Sequence, residues 1–292
     1  MQEKIKIFGI GISGLVGSRI VELLKDKYIF NNLSLDTGVD ITNPETLDII
    51  RKDQEHPIVL HLAALADVDG CERDKDLGEE SMAYKINVGG TQNVIDACKN
   101  TNKKIIYIST DFVFDGENTP ERGYTEEDMP NPINWYAKTK LLGEEAVKNS
   151  GLSSLIVRIA YPFQQKEFEL KKDFVHAILG RLQSGQVVKA VTDHVMTPTF
   201  IDDLATGIDV LIAKNETGIS HVVGDSFVTP FEAAQKIADT FGFDKSLIQK
   251  TTRAEYFQGR APRPFNLSMN NAKIKKLGVK MKTFEDGLKI LL

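Results

Sequence analysis

Residues 4–27 read KIKIFGIGISGLVGSRIVELLKDK. The first seven form a short apolar run, the pattern of a buried strand, and from Leu15 onward apolar residues recur at helical spacing. Between the two lies GISGLVG, in which Gly11, Gly14 and Gly17 make a G-x-x-G-x-x-G turn from strand to helix. Glycine suits such a turn because it tolerates positive φ and lets an anion approach the backbone, where N–H groups and the helix dipole hold it. The spacing alone is a weak signal. Its context is stronger, because Asp36 follows about 20 residues past the last glycine, at the end of a second strand-like run. A carboxylate there accepts hydrogen bonds from both adenosine ribose hydroxyls and repels a 2′-phosphate, so the stretch predicts a dinucleotide site with NAD favoured over NADP. Asp40 and Ile41 in GVDITNP are placed to flank the adenine.

The alternation continues through IFNNLSL (29–35), HPIVLHLAA (56–64), KKIIYIST (103–110) and SSLIVRIA (153–160), each separated from the next by a helix-length segment. Parallel strands need long crossovers and bury both faces, so this order predicts an α/β fold with a Rossmann-like doubly wound parallel sheet. Helix starts are expected near residue 43, in TNPETLDII, and near 230, where Thr229, Pro230 and Glu232 have capping-box spacing. The alternation fades after residue 163, where QQKEFELKKDF (164–174) is charged and strandless. Residues 1–163 are therefore expected to form the dinucleotide-binding domain, with 199–223 packing back onto it. Residues 164–198 and 224–292 would make a smaller substrate-binding lobe, packed directly against it because no repeat or low-complexity linker intervenes.

A chain of 292 residues, 41% of them hydrophobic, can bury a large core. The net charge of -5 and the lack of any basic run argue against a nucleic-acid partner. No apolar segment is long enough to span a bilayer, and the start has no secretory pattern, so a cytoplasmic location is expected. Cys71 and Cys98 fit neither a disulfide framework nor a metal knuckle, and the five histidines lack ligand spacing, so no metal site is expected.

The segment NWYAKTK (134–140) puts Tyr136 one helical turn ahead of Lys140, on one face of a helix that follows the fourth strand. Such a pair arises often by chance, so position decides its meaning: the fourth strand ends at the sheet edge where a dinucleotide would sit. A free phenol, with pKa about 10, is a poor acid-base catalyst near neutrality, and lowering it by about 3 units takes about 4 kcal/mol. A nearby ammonium could supply part of that, while Thr110, at the end of YIST, could hold a carbonyl that the tyrosine protonates.

Together these residues resemble the short-chain dehydrogenase/reductases of the extended, sugar-nucleotide branch, and more closely the dTDP-4-dehydrorhamnose reductase family. The tracts STDFVFDG, YTEEDMPNPINWYAKTKLLGE, MTPTFIDDLA and APRPFNLSM look like that family's signatures in order, and the similarity spans nearly the whole chain. The resemblance implies a reductase that uses NADH or NADPH to reduce the 4-keto group of a nucleotide-linked deoxysugar. It assigns Thr110 to polarising the ketone, Tyr136 to protonation, and Lys140 to the nicotinamide ribose and to lowering the pKa of the tyrosine. It puts Gly11, Ile12, Ser13, Gly14, Leu15, Val16, Gly17, Leu62, Ala63 and Ala64 at the cofactor, and Asn87 beside the lysine. Thr110, Asp111, Tyr161 and Arg263 are expected at the substrate, Arg263 as partner of a diphosphate. A homodimer is compatible with the resemblance, although no segment marks its contact surface. Two departures stand out: Tyr161 replaces a usual tryptophan in RIAYPF, without the glycine that follows it, and QQKEFELKKDF matches nothing assignable. Two other readings share the frame: a non-catalytic subunit similar to the methionine adenosyltransferase beta subunit, and a nucleotide-sugar epimerase or dehydratase.

Overall fold

Seven consecutive residues, Lys104–Thr110, are buried, which a strand achieves only when both faces of its sheet are covered. The computed structural model describes residues 3–292, so the first two residues of the expected first domain lie outside the described residues. Along the chain come β1 (Ile5–Ile10), α1 (Leu15–Leu24), β2 (Tyr28–Leu33), α2 (Asp48–Lys52), β3 (Ile58–His61), α3 (Val68–Arg73), α4 (Met82–Tyr84), α5 (Thr91–Lys99), β4 (Lys104–Thr110), α6 (Trp135–Lys148) and β5 (Ser154–Ile159). Then follow β6 (Pro162–Phe163), α7 (Phe174–Gln183), β7 (Val188–Val191), β8 (Thr199–Phe200), α8 (Ile201–Ala213), β9 (Gly218–His221), α9 (Pro230–Phe241), β10 (Ile248–Thr251), α10 (Arg253–Tyr256), α11 (Ala272–Lys276) and α12 (Phe284–Ile290).

The main sheet has the order β2-β1-β3-β4-β5-β9 with every neighbouring pair parallel. This is the expected Rossmann-like architecture. Successive residues of its strands feed opposite cores: Ile7, Leu60, Ile106 and Val157 on one face, Phe8, Val59, Ile105 and Ile156 on the other. The first face is closed by α1 and α8, clamped where Arg19 donates through Nε and Nη2 to the two Asp202 carboxylate oxygens at 2.8 and 2.7 Å. Strand order reverses between β1 and β3, which opens a crevice at the carboxyl ends of those strands.

A separate cluster of Phe163, Val175, Leu182, Ile237, Phe284 and Leu288 lies under α7, α9 and α12, beside the parallel pairs β6–β8 and β7–β10. The helix expected near residue 43 is a 3₁₀ turn, Pro44–Leu47, running into the five-residue α2; Pro44 suits a first turn, and Asn43 caps it by accepting from Glu45 N. The expected cap at 229 forms in full, with Glu232 N donating to Thr229 Oγ1 and Thr229 N to Glu232 Oε2. No helix among the described residues is long and apolar enough to cross a membrane.

Candidate active site

The glycine turn leaves β1 at Gly11, whose φ of +76° suits glycine and where an added Cβ would lie 2.6 Å from Ala63 N. That close approach lets Leu62 N and Ala63 N both donate to Ile10 O, at 2.8 and 3.1 Å, and draws the end of β3 against the turn. At Gly17 a Cβ would sit 2.4 Å from Ile12 Cα. Gly14 differs: it is the N-cap of α1, a Cβ there would meet only Gly11 O, at an ordinary 3.5 Å, no side chain caps the helix, and no acid occupies the first turn. The first N–H groups of α1 are therefore available to an anion.

A cavity of about 590 Å³ lies over this turn, lined by Gly11, Ser13 and Gly14, by Asp36, Asp40 and Ile41, and by Leu62, Ala63 and Ala64. Ile12 instead belongs to the core beneath, with Val16 packed against it, and Gly17 is buried. Asp36 is exposed on the 3₁₀ turn Leu35–Thr37. Asp40 doubles as a turn residue, accepting from Thr42 N and Oγ1 at 2.9 and 2.7 Å. Ser34, Thr42, Met82 and Ile86 also line the cavity. The first two adjoin the expected acids; the last two arrive from a distant segment that no local motif marks. An open glycine turn, an uncapped helix end and a carboxylate at the far side fit a dinucleotide with its diphosphate at α1 and its ribose at Asp36.

A second cavity, about 360 Å³, begins where the first ends: Gly14 and Leu65 line one, Leu15 and Ala66 the other. Thr110, Asp111, Tyr136 and Tyr161 line it together, with Phe174, Lys171 and Lys172 at its edge. Helix α6 is set in place by Asn134, which accepts from Ala137 N at 2.9 Å and donates to Pro262 O at 3.1 Å, and by Glu72, which accepts from Trp135 N at 2.8 Å. Asn87, in a turn of π-helix at Lys85–Gly90, accepts from Leu65 N and donates to Leu65 O and to Thr139 Oγ1. Its amide braces α6 against the loop after β3.

Tyr136 is held as a neutral phenol. Burial raises its pKa, the Thr110 hydroxyl pulls the other way, and Asp111 and Cys71 add to the rise. The expected lowering by Lys140 is not found among the protein's own groups. Lys140 is buried, donates from Nζ to Ile108 O at 2.8 Å and lies 4.0 Å from the Tyr107 ring centre, and burial pushes it down to about 7 against the opposing charge of Glu144. Thr110 Oγ1 donates to Asp111 Oδ1 at 3.0 Å, and Asp111 Oδ2 has no partner. Burial pushes the Asp111 carboxyl up to about 7 despite that bond.

Arg263 does not line this cavity. Its Nη2 donates to Asp69 Oδ1 at 2.8 Å and its Nη1 to Ala261 O at 2.6 Å, and Arg260 shares the same carboxylate. The diphosphate expected there meets an arginine whose guanidinium is already hydrogen-bonded to a carboxylate 194 residues away in the chain, a pairing no local motif reveals. His194 is nearly fully buried, with Nε2 2.6 Å from Tyr161 Oη and Nδ1 2.7 Å from Pro264 O. Both thiols are buried, which pushes Cys71 up to about 11 and Cys98 up to about 12.

A dinucleotide cleft joined to a pocket lined by tyrosine, threonine and a buried acid, with lysine one turn along the same helix, defines the extended dehydrogenase architecture. Residues 5–292 match the RmlD substrate binding domain, and the chain belongs to that family. It is 30% identical over 296 residues to the probable low-salt glycan biosynthesis reductase Agl14 of Haloferax volcanii, covering 97% of this chain and 96% of that protein. It is 31% identical over 259 residues to the methionine adenosyltransferase 2 subunit beta of Mus musculus, covering 86% and 74%. Among solved structures, the dTDP-4-dehydrorhamnose reductase of Bacillus anthracis in complex with NADP superposes with a TM-score of 0.87, at 28% identity over 98% of each chain.

Proposed function

We propose that this protein is an NAD(P)H-dependent reductase of the 4-keto group of a nucleotide-linked deoxysugar, of the dTDP-4-dehydrorhamnose reductase kind. One observation carries the reading: Thr110, Asp111 and Tyr136 line a pocket that adjoins the cleft over the glycine turn, Gly14 and Leu65 lining the cleft and Leu15 and Ala66 the pocket. Gly11, Ser13, Gly14, Asp36 and Ala63 would hold the dinucleotide, and Lys140 its nicotinamide ribose. When bound, the reduced coenzyme supplies the hydride. The protein's own part is the proton. Tyr136 enters as the protonated phenol, its pKa raised by burial in the protein alone, and proton release near neutrality would need that pKa lowered by positive charge beside it, from Lys140 and from the bound coenzyme. Tyr136 gives its proton to the sugar oxygen, and the Thr110 hydroxyl, turned from Asp111 to the same oxygen, orients it.

The test is a coupled assay of the purified protein with dTDP-4-dehydro-6-deoxy-L-mannose, following loss of reduced-coenzyme absorbance with NADH and with NADPH. Oxidation with at least one coenzyme is expected; no oxidation with either rejects the proposal. A cytoplasmic location belongs to the same proposal, and sedimentation would decide between monomer and homodimer. The likeness to a methionine adenosyltransferase subunit keeps a second reading open: stoichiometric recovery of a synthetase from native lysate, with no reductase activity, would favour it.

A further inference from the structure

Tyr161 stands in the wall of the pocket that holds Thr110, Asp111 and Tyr136, with a φ of +39° that a tyrosine rarely adopts. Its hydroxyl is taken by His194. Pro264 O can only accept, so His194 Nδ1 carries the proton, and Nε2 is left to accept from Tyr161 O–H at 2.6 Å. Both imidazole nitrogens are thus committed, inside a residue almost wholly shielded from solvent. The tyrosine ring packs beside Phe112 and Phe174, at centroid distances of 6.3 and 5.9 Å. What this wall offers a ligand is therefore hydrocarbon, although a tyrosine forms it.

We infer that His194 is a specificity-determining positioning residue: by holding the Tyr161 hydroxyl it gives the pocket an apolar face for the C5 methyl of a 6-deoxysugar and leaves a 6-hydroxyl unmatched. The inference rests on the reductase reading. Of the two substituents flanking C4 in such a sugar, the C3 hydroxyl is polar and only the C5 methyl lacks oxygen, so the methyl suits this wall. A hydrocarbon face discriminates against an added hydroxyl by up to about 100-fold.

The experiment measures kcat and KM for dTDP-4-dehydro-6-deoxy-L-mannose and for its 6-hydroxy counterpart, in the wild type, His194→Ala, His194→Gln, Tyr161→Phe and the His194→Ala/Tyr161→Phe double variant. In His194→Ala the freed hydroxyl can serve a 6-hydroxyl, so preference for the deoxysugar should fall about tenfold, chiefly through KM of the hydroxylated sugar. His194→Gln, which can still accept the phenolic proton, should keep the preference. Tyr161→Phe should keep it too, and the double variant should regain it, because no hydroxyl is left to free. Unchanged preference in His194→Ala, or a double variant as unselective as His194→Ala, overturns the inference while the reductase reading stands. Should His194→Ala fail to fold, a drop in preference in Tyr161→Phe overturns it equally. Absence of wild-type turnover with either sugar removes the reading and the inference together.

Discussion

Replacing Asp111 with asparagine should make the protein more stable at alkaline pH while damaging its activity. Burial moves this carboxyl from an ordinary value of 3.8 up to about 7. At 1.36 kcal/mol per pH unit, that displacement corresponds to at most about 4 kcal/mol. The sign follows from proton counting: between pH 4 and 7 the folded protein keeps a proton that the unfolded chain has released. The stability contributed by Asp111 is therefore full below about pH 4 and lost as the pH rises through about 7. Asparagine is neutral throughout and still accepts from Thr110, but it places an N–H₂ where Asp111 Oδ2 has no partner, returning about 1–3 kcal/mol. The variant should thus gain about 1–3 kcal/mol over the wild type at about pH 8 and nothing at about pH 5. Urea unfolding followed by circular dichroism at both pH values measures this. His61, His194 and His221, which burial holds down at about 3, 4 and 3, make stability rise with pH over part of the same range, but they cancel in the difference between the two proteins. A difference that does not grow from pH 5 to pH 8 would refute the reasoning.

Tyr136→Phe should lower kcat by about 100- to 10,000-fold with coenzyme affinity almost unchanged, since Tyr136 lines the second cavity and not the first; comparable losses in turnover and in a fluorescence titration of NADPH would make the phenol structural. Asp36→Asn should raise the ratio of kcat/KM for NADPH to that for NADH by about tenfold, because it removes the charge that opposes a 2′-phosphate; an unmoved ratio would show that Asp36 does not read the ribose. Gly17→Ala forces a Cβ to within 2.4 Å of the Ile12 backbone, and thermal unfolding should report a loss of about 1–3 kcal/mol together with weaker coenzyme binding.

Four of the first five strands, β1, β3, β4 and β5, were legible because each is largely an apolar run buried on both faces, so hydrophobicity alone marks it, whereas β2 at the sheet edge buries only its two end residues. Strand β9 was not legible, since GISH has four residues and its identity as a strand comes from pairing with β5. The residues that local motifs put forward, Gly11, Gly14 and Asp36 in one tract and Thr110 and Tyr136 in two others, do line two adjoining cavities. What stayed hidden depends on partners far along the chain. Arg263 read as the partner of a diphosphate until Asp69 appeared beside it, and nothing in the sequence tied the two nitrogens of His194 to Tyr161 and Pro264. The electrostatics of Tyr136 were hidden for a related reason: spacing puts a lysine on the same helix face, but only the packing shows Lys140 Nζ donating to Ile108 O and the phenol's pKa raised by burial.

The route by which the chain completes its central sheet bears on how it can be cut. Strand β9 and helix α8 come after the excursion through α7, β7 and β8, so a fragment ending near residue 163 would have an open β5 edge and no cover over α1. Such an exposed, unpaired margin invites association between copies. Expression trials of the isolated N-terminal segment should consequently yield aggregate, and a workable smaller version would require joining 1–163 directly to 199–223 through a short artificial bridge.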